Sequence, residues 1–244
     1  MLLLLLVLLP GTLACRAASA QAAPPWHEHY PPVRSAAADR LLRRAIERAR
    51  ALLGEPVVPI RRVHLRLSTP LDPGRGLRSG FRLTELVSAR EGVFTIYLSR
   101  SPAEYAFEGQ LAHEAAHLLN ARLSDVYAEG VCTVFAERLL RERGSDWTGW
   151  ERHFRSGEDR LHGLSYAMMS EVWSAAGDEA MRRFLSHAKL THADGMHLDV
   201  EAWLRTLPPP VQRQVRGIIG RHAAPIRREL GRTGTALAFV LPRP

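Results

Sequence analysis

In the stretch GQLAHEAAHLLNARLSDVYAEGV, residues 109–131, His113 and His117 stand four apart, Glu114 follows the first, and Glu129 lies twelve residues past the second. Residues four apart share one helix face, so both imidazoles can reach a single metal ion. Glu114 completes an H-E-x-x-H pattern, in which the carboxylate beside the metal can take a proton from an activated water. A hydrolytic zinc site needs a third protein ligand. The metzincin continuation would require glycine at 120 and histidine at 123; those positions hold Asn120 and Leu123, so that branch is rejected.

Two helices must position this set. Ser101-Pro102-Ala103-Glu104 reads as a capping box with proline at the first helical position, predicting a helix start there. Tyr105, Phe107, Leu111, Ala115, Leu118 and Leu119 supply its apolar contacts. Ser124 reads as the N-cap of the next helix, so the two form an antiparallel hairpin turning near 122 or 123. His113 and His117 then lie seven or eight residues before the turn and Glu129 six or seven after it, at matching height. Glu137 lies eight residues further on, roughly 12 Å along the axis, and is left to an ion pair or a solvated face. Asp125, at the helix start, suits capping better than coordination. Glu129 is the preferred third ligand.

His113-Glu114-Ala115-Ala116-His117 followed by Glu129-Gly130, in the context AEGVCTVFAERL, resembles the gluzincin branch of zinc peptidases, the thermolysin-like and aminopeptidase-like group. The resemblance covers about residues 93–143 closely and reaches 190 loosely, with a shorter spacer from His117 to Glu129 than is common in that group. It implies a zincin-like fold in which an edge strand, Val93 to Leu98, holds extended substrate above the active helix. It implies Zn²⁺ held by His113, His117 and Glu129, with Glu114 as general base and a peptide or protein as substrate. It also implies a tyrosine or histidine from a later helix as oxyanion donor. In EDRLHGLSYAMMSEVWSAAG, 158–177, His162 and Tyr166 share a face, and Tyr166 is favoured. The rival reading is a non-enzymatic envelope protein that keeps a peptidase-like scaffold for binding; retention of Glu114 argues against it, since a structural metal site needs no base.

The rest of the chain reads as α+β. A helix is expected from Ser35 to a C-cap at Gly54, then strands in VVPIRRVHLRLS (57–68), FRLTELVSA and VFTIYLS, the last two as a hairpin across Arg90-Glu91-Gly92. Helices follow almost to the C-terminus, where GTALAFVLPRP could dock as a short strand. Residues 1–20 read as an export signal, with an apolar run from Leu2 to Leu9 too short to span a bilayer. Cleavage after Ala20 competes with lipidation of Cys15, which would tether the protein to a membrane. Residues 21–34 are a proline-rich tether or an arm lying on the domain, with His27 and His29 read as loop residues. Residues 35–244 read as one domain, which the resemblance implies to be zincin-like.

Cys132 is the only other cysteine besides Cys15, so after either processing event no disulfide between two free thiols is available and Cys132 reads as a buried hydrophobe. The formal charge is +8, but the arginines are scattered and Lys189 is the only lysine, without a basic run or interleaved aromatics, so nucleic acid is not an expected partner. His153, His187, His192, His197 and His222 have no partner at metal-ligand spacing.

Overall fold

Ser35 ends an extended arm and begins α1 (Ala36–Leu53): its hydroxyl accepts from the Ala38 N–H, and Gly54, at φ 97°, ends the helix as expected. These elements belong to a computed structural model that describes residues 29–71, 77–157, 159–192 and 195–243. The export-signal segment, Cys15 and His27 lie outside the described residues. Ala38, Leu41, Ala45, Ala49 and Leu52 recur at helical spacing and bury one face of α1 in the core.

Three strands follow: β1 (Arg62–Leu67), β2 (Leu83–Ser88) and β3 (Val93–Leu98). The sheet is mixed, in the order β1-β3-β2, with β3 parallel to β1 and antiparallel to β2. Val93–Leu98 is therefore the central strand, and the edge strand is β2. The reason lies in burial: every residue of β3 from Phe94 to Leu98 is buried, as expected for a strand covered on both faces, whereas Leu83 at the start of β2 is exposed. The β2–β3 hairpin forms as read. On the other side, residues 29–34, the described end of the proline-rich segment, lie along β1 as an arm: Val33 N–H donates to Leu65 O at 2.9 Å, Leu67 N–H to Pro31 O at 2.9 Å, and Tyr30 is buried.

The helical part comprises α2 (Phe107–His117), α3 (Val126–Glu142), α4 (Thr148–Ser156), α5 (Arg160–Ala176), α6 (Asp178–Met181), α7 (Val200–Leu204) and α8 (Pro209–Thr233). The α+β class expected from the sequence is the observed one. Two starts differ from expectation. Only the Glu104 half of the capping box forms, with Glu104 Oε2 accepting from Ser101 N–H at 2.6 Å; the chain then makes tight turns through Phe107 N–H to Glu104 O, and α2 begins six residues later than Ser101. The N-cap of α3 is Asp125, whose carboxylate accepts from Tyr127 N–H at 2.7 Å, because Ser124 spends its backbone on Met196 and Ala238. A hairpin of β4 (Ala188–His192) and β5 (Gly195–Leu198) interrupts the helices. Its strands are too short for a period to register in sequence. The tail docks through a bridge between Ala238 and Asp125, and Tyr127 Oη donates to Val240 O at 3.1 Å.

α2 and α3 pack as the expected hairpin, and α5 packs against both α3 and α8. One core of buried side chains runs from Ala38 in α1 to Ile226 in α8. Gly130 sets how near α5 comes to α3, since a methyl there would run into the Ser165 carbonyl and the Met169 side chain. Overpacking of this kind costs about 1–3 kcal/mol. Gly130→Ala is expected to lower the unfolding free energy by roughly that amount in chemical denaturation; an unchanged midpoint would show that the two helices are not in close contact.

Candidate metal centre

The hairpin of α2 and α3 brings three donors together. His113 Nε2 and His117 Nε2 are 3.1 Å apart, His113 Nε2 is 3.2 Å from Glu129 Oε2, and His117 Nε2 is 3.6 Å from Glu129 Oε1. The donor atoms of the three residues all lie within 4.8 Å of one another, and among the described residues this is the one such group. Zinc–nitrogen and zinc–oxygen bonds of about 2.0–2.2 Å at a tetrahedral angle separate neighbouring donors by about 3.3 Å. The observed spacings bracket that value, so the donor set and its size fit a zinc ion. The matched heights of His113, His117 and Glu129 about the turn are what produce this convergence.

The groups behind the donors decide which nitrogen faces inward. Thr133 lies one turn after Glu129 on α3; its hydroxyl donates to the Glu129 carbonyl at 2.8 Å and stands 3.2 Å from His113 Nδ1. With its proton committed, that oxygen can only accept, so His113 carries hydrogen on Nδ1 and turns an unprotonated Nε2 to the centre. Burial lowers the pKa of His113, which also keeps it neutral. Burial disfavours charge on Glu129, but the charge of His117 and the close imidazoles around the carboxylate outweigh it and hold the carboxyl well below the usual range.

His162 joins the cluster from α5. Its Nε2 is 3.1 Å from Glu129 Oε2, and its Nδ1 is 2.5 Å from Asp159 Oδ1. Asp159 is tied in turn to Arg82 Nη2 at 3.0 Å, so an ordered chain runs from the start of β2 to the centre. Burial alone would lower the pKa of His162; the hydrogen bonds to Asp159 and Glu129 override it and push it up to about 9.

Tyr166 is not brought to the centre. Its hydroxyl donates to Glu137 Oε2 at 2.8 Å, and its ring packs against Trp147 and Phe154. Glu137 stands roughly 12 Å along α3 from Glu129, which is why the phenol that meets it cannot also meet the donors. Burial and the Glu137 carboxylate push Tyr166 up to about 12, so it stays protonated. Glu137 also pairs with Arg141 at 2.8 Å, the ion-pair role foreseen for it.

Glu114 lines a cleft of about 1040 Å³ together with His113, His117, Glu129 and His162. It is buried, and Thr84 of β2 holds it, with the hydroxyl 2.8 Å from its carbonyl and 2.9 Å from its Oε2. β2 from Leu83 to Val87 forms one wall of the cleft; Leu123, Ser124 and Leu237 of the tail line it as well. Three supporting residues, Thr84, Thr133 and Asp159, escaped the sequence reading. Thr133 and Asp159 carried a usable signal, at four residues from Glu129 and three from His162. Thr84 carried none, because strand pairing is what brings it over α2.

No protein-family model, curated protein or solved structure matches the chain.

Loss of a hydrogen-bond partner behind a metal-bound histidine weakens metal affinity by about 10–100-fold. Thr133→Val keeps the shape of the side chain and removes its oxygen, and is expected to raise the zinc dissociation constant by roughly that factor in competition with a chromophoric chelator. Glu129→Ala is expected to abolish the rise in melting temperature that zinc confers. Equal zinc affinity in the wild type and both variants would remove the metal centre.

Proposed function

We propose that the chain is an exported zinc-dependent peptidase of gluzincin type that hydrolyses peptide bonds. The observation that carries this reading is the meeting of His113, His117 and Glu129 at zinc-sized spacing in a cleft that also contains a braced carboxylate, Glu114. His113 and His117 through Nε2, and Glu129 through its carboxylate, would hold the ion. Zinc supplies a Lewis acid, which acidifies water and polarises a carbonyl.

Each step assigned to the chain has its own group. Glu114 takes the proton of the attacking water and later delivers it to the leaving amine. Thr84 keeps Glu114 aimed into the cleft. β2, rather than Val93–Leu98, offers its open backbone edge to an extended peptide, since its other edge is paired with β3. The oxyanion-donor role passes from Tyr166 to His162, which faces the donors and is oriented by Asp159. The N-terminal segment supports export, with Cys15 either removed or lipidated; among the described residues no helix is long and apolar enough to cross a membrane.

Glu114→Gln separates an enzyme from a binding protein built on the same scaffold. Zinc stoichiometry should match the wild type, while peptide hydrolysis should fall on the order of 10²–10⁴-fold, the usual worth of a general base. Undiminished hydrolysis in the variant, or cleavage by the wild type that ignores a chelator, would refute the peptidase reading.

A further inference from the structure

Off the large cleft, at the start of β2, opens a second pocket of about 460 Å³, within the size range of small-ligand sites. Gly80 and Arg82 line both spaces, so the two adjoin. Of the side chains lining the pocket, Arg82, Arg100 and His153 are basic and Asp159 alone is acidic. The neutral polar groups are spent on the protein itself: Ser99 Oγ accepts from Gln110 Nε2 at 2.8 Å, and Tyr105 Oη donates to Asp146 O at 3.0 Å. Gln110 Oε1 and Trp150 Nε1 have no partner among the described residues, but both atoms are enclosed and present almost no surface to a ligand.

Arg82 is the group left with donors to offer. Its Nη2 donates to Asp159 Oδ2 at 3.0 Å, which fixes the guanidinium on the side of the sheet where Thr84, two residues on, meets Glu114. The side chain is still 32% exposed, and it lines this pocket, the cleft and a small cavity of about 20 Å³ beside His113 and His162. Its Nε and Nη1 have no hydrogen-bond partner among the described residues. Asp159 cannot satisfy them, because its carboxylate also meets His162 Nδ1 at 2.5 Å and has His153 Nε2 at 3.9 Å. One carboxylate is thus shared among three bases. Arg100 is paired only with Glu104, at 3.1 Å on the exposed surface.

We propose that Arg82 makes this pocket a carboxylate subsite, so that the substrate class is a peptide with an acidic side chain or a free carboxyl end near the scissile bond; the inference rests on the peptidase reading above. A guanidinium carries five N–H donors in a planar fork that matches a carboxylate, so Arg82 can hold a second one while Nη2 keeps Asp159. An amide of the same shape is a weaker partner, since hydrogen bonds to an ionised acceptor are roughly twice as strong as neutral ones. Strand geometry sets the distance from the chemistry. A peptide paired along β2 turns every second residue to the face of Arg82 and Thr84, which stand about 7 Å apart along the chain. Thr84 holds Glu114, so the carboxylate lies within about two residues of the bond attacked.

The test uses acetylated, amidated alanine–glycine hexapeptides with glutamate or glutamine walked through the inner positions, and glutamine peptides with a free carboxyl end. Their binding to the zinc-loaded Glu114→Gln protein is measured by calorimetry. Their hydrolysis by the zinc-loaded wild type is followed by mass spectrometry, which also maps the bond cut. A carboxylate should be favoured over its amide by about tenfold or more in both measurements, with the cut within about two residues of it. Preference for glutamate assigns the side chain as the ligand, and preference for the free end assigns the terminus. Arg82→Gln, which can still hydrogen-bond Asp159, should bring the ratio towards one; a purely structural Arg82 would change the rate for acid and amide peptides alike. Arg82→Lys keeps the charge, loses the fork and should lower the ratio without abolishing it. Equal affinities for acid and amide peptides, binding of neither, or a preference indifferent to both substitutions, as Arg78 or Arg122 of the cleft wall would supply, would overturn the subsite. Carboxylate-selective binding without any hydrolysis by the wild type would instead uphold the subsite and overturn the peptidase reading.

Discussion

Three electron-pair donors held within 4.8 Å of one another, two imidazoles and a carboxylate, repel each other unless a proton or a cation lies among them. Much of the surrounding architecture serves to enforce that proximity. Thr133 blocks one tautomer of His113, Asp159 pins His162, and Thr84 bridges the edge strand to Glu114. Each of these polar groups is partly or wholly buried, where an unmet hydrogen bond is costly, so the set is stable only as a whole. Without a cation, protons shared between histidine and Glu129 relieve the repulsion; a divalent cation would relieve it with the same atoms.

The scaffold beneath is a division of labour between two contacts. The α2–α3 turn sets the height of Glu129 against His113 and His117. The bare backbone at Gly130 lets α5 approach until Ser165 and Met169 touch it, and this brings His162 within 3.1 Å of Glu129. A side chain at 130 would widen that gap and separate the fourth residue from the other three. The glycine next to Glu129 is therefore a packing requirement of the site, in addition to its place in the Glu-Gly pair read from sequence.

Charge is arranged in the same economical way. Arg82 at the start of β2 neutralises Asp159, Asp159 neutralises His162, and His162 meets Glu129, so the electrostatic chain spans three elements. The Asp125 carboxylate closes the opposite end by capping α3 and accepting from Leu198 N–H at 3.1 Å, which ties the hairpin of β4 and β5 to the α2–α3 turn. The C-terminal tail pairs at the same point and lends Leu237 to the cleft. The cleft walls thus come from segments more than a hundred residues apart.

The spacing of His113, His117 and Glu129 was enough by itself to foresee that their donor atoms converge, because helical periodicity and a short turn are local rules. The α+β order, the limits of α1 and the β2–β3 hairpin were legible for the same reason. What the residues could not say is which strand lies at the edge, since that depends on β1 passing to the far side of β3 and on the arm at Val33 covering β1. Nor could they choose between His162 and Tyr166, which occupy one face of one helix. That choice belongs to the crossing of α5 over α3 at Gly130, a contact between residues far apart in the chain, which turns the imidazole towards Glu129 and the phenol towards Glu137.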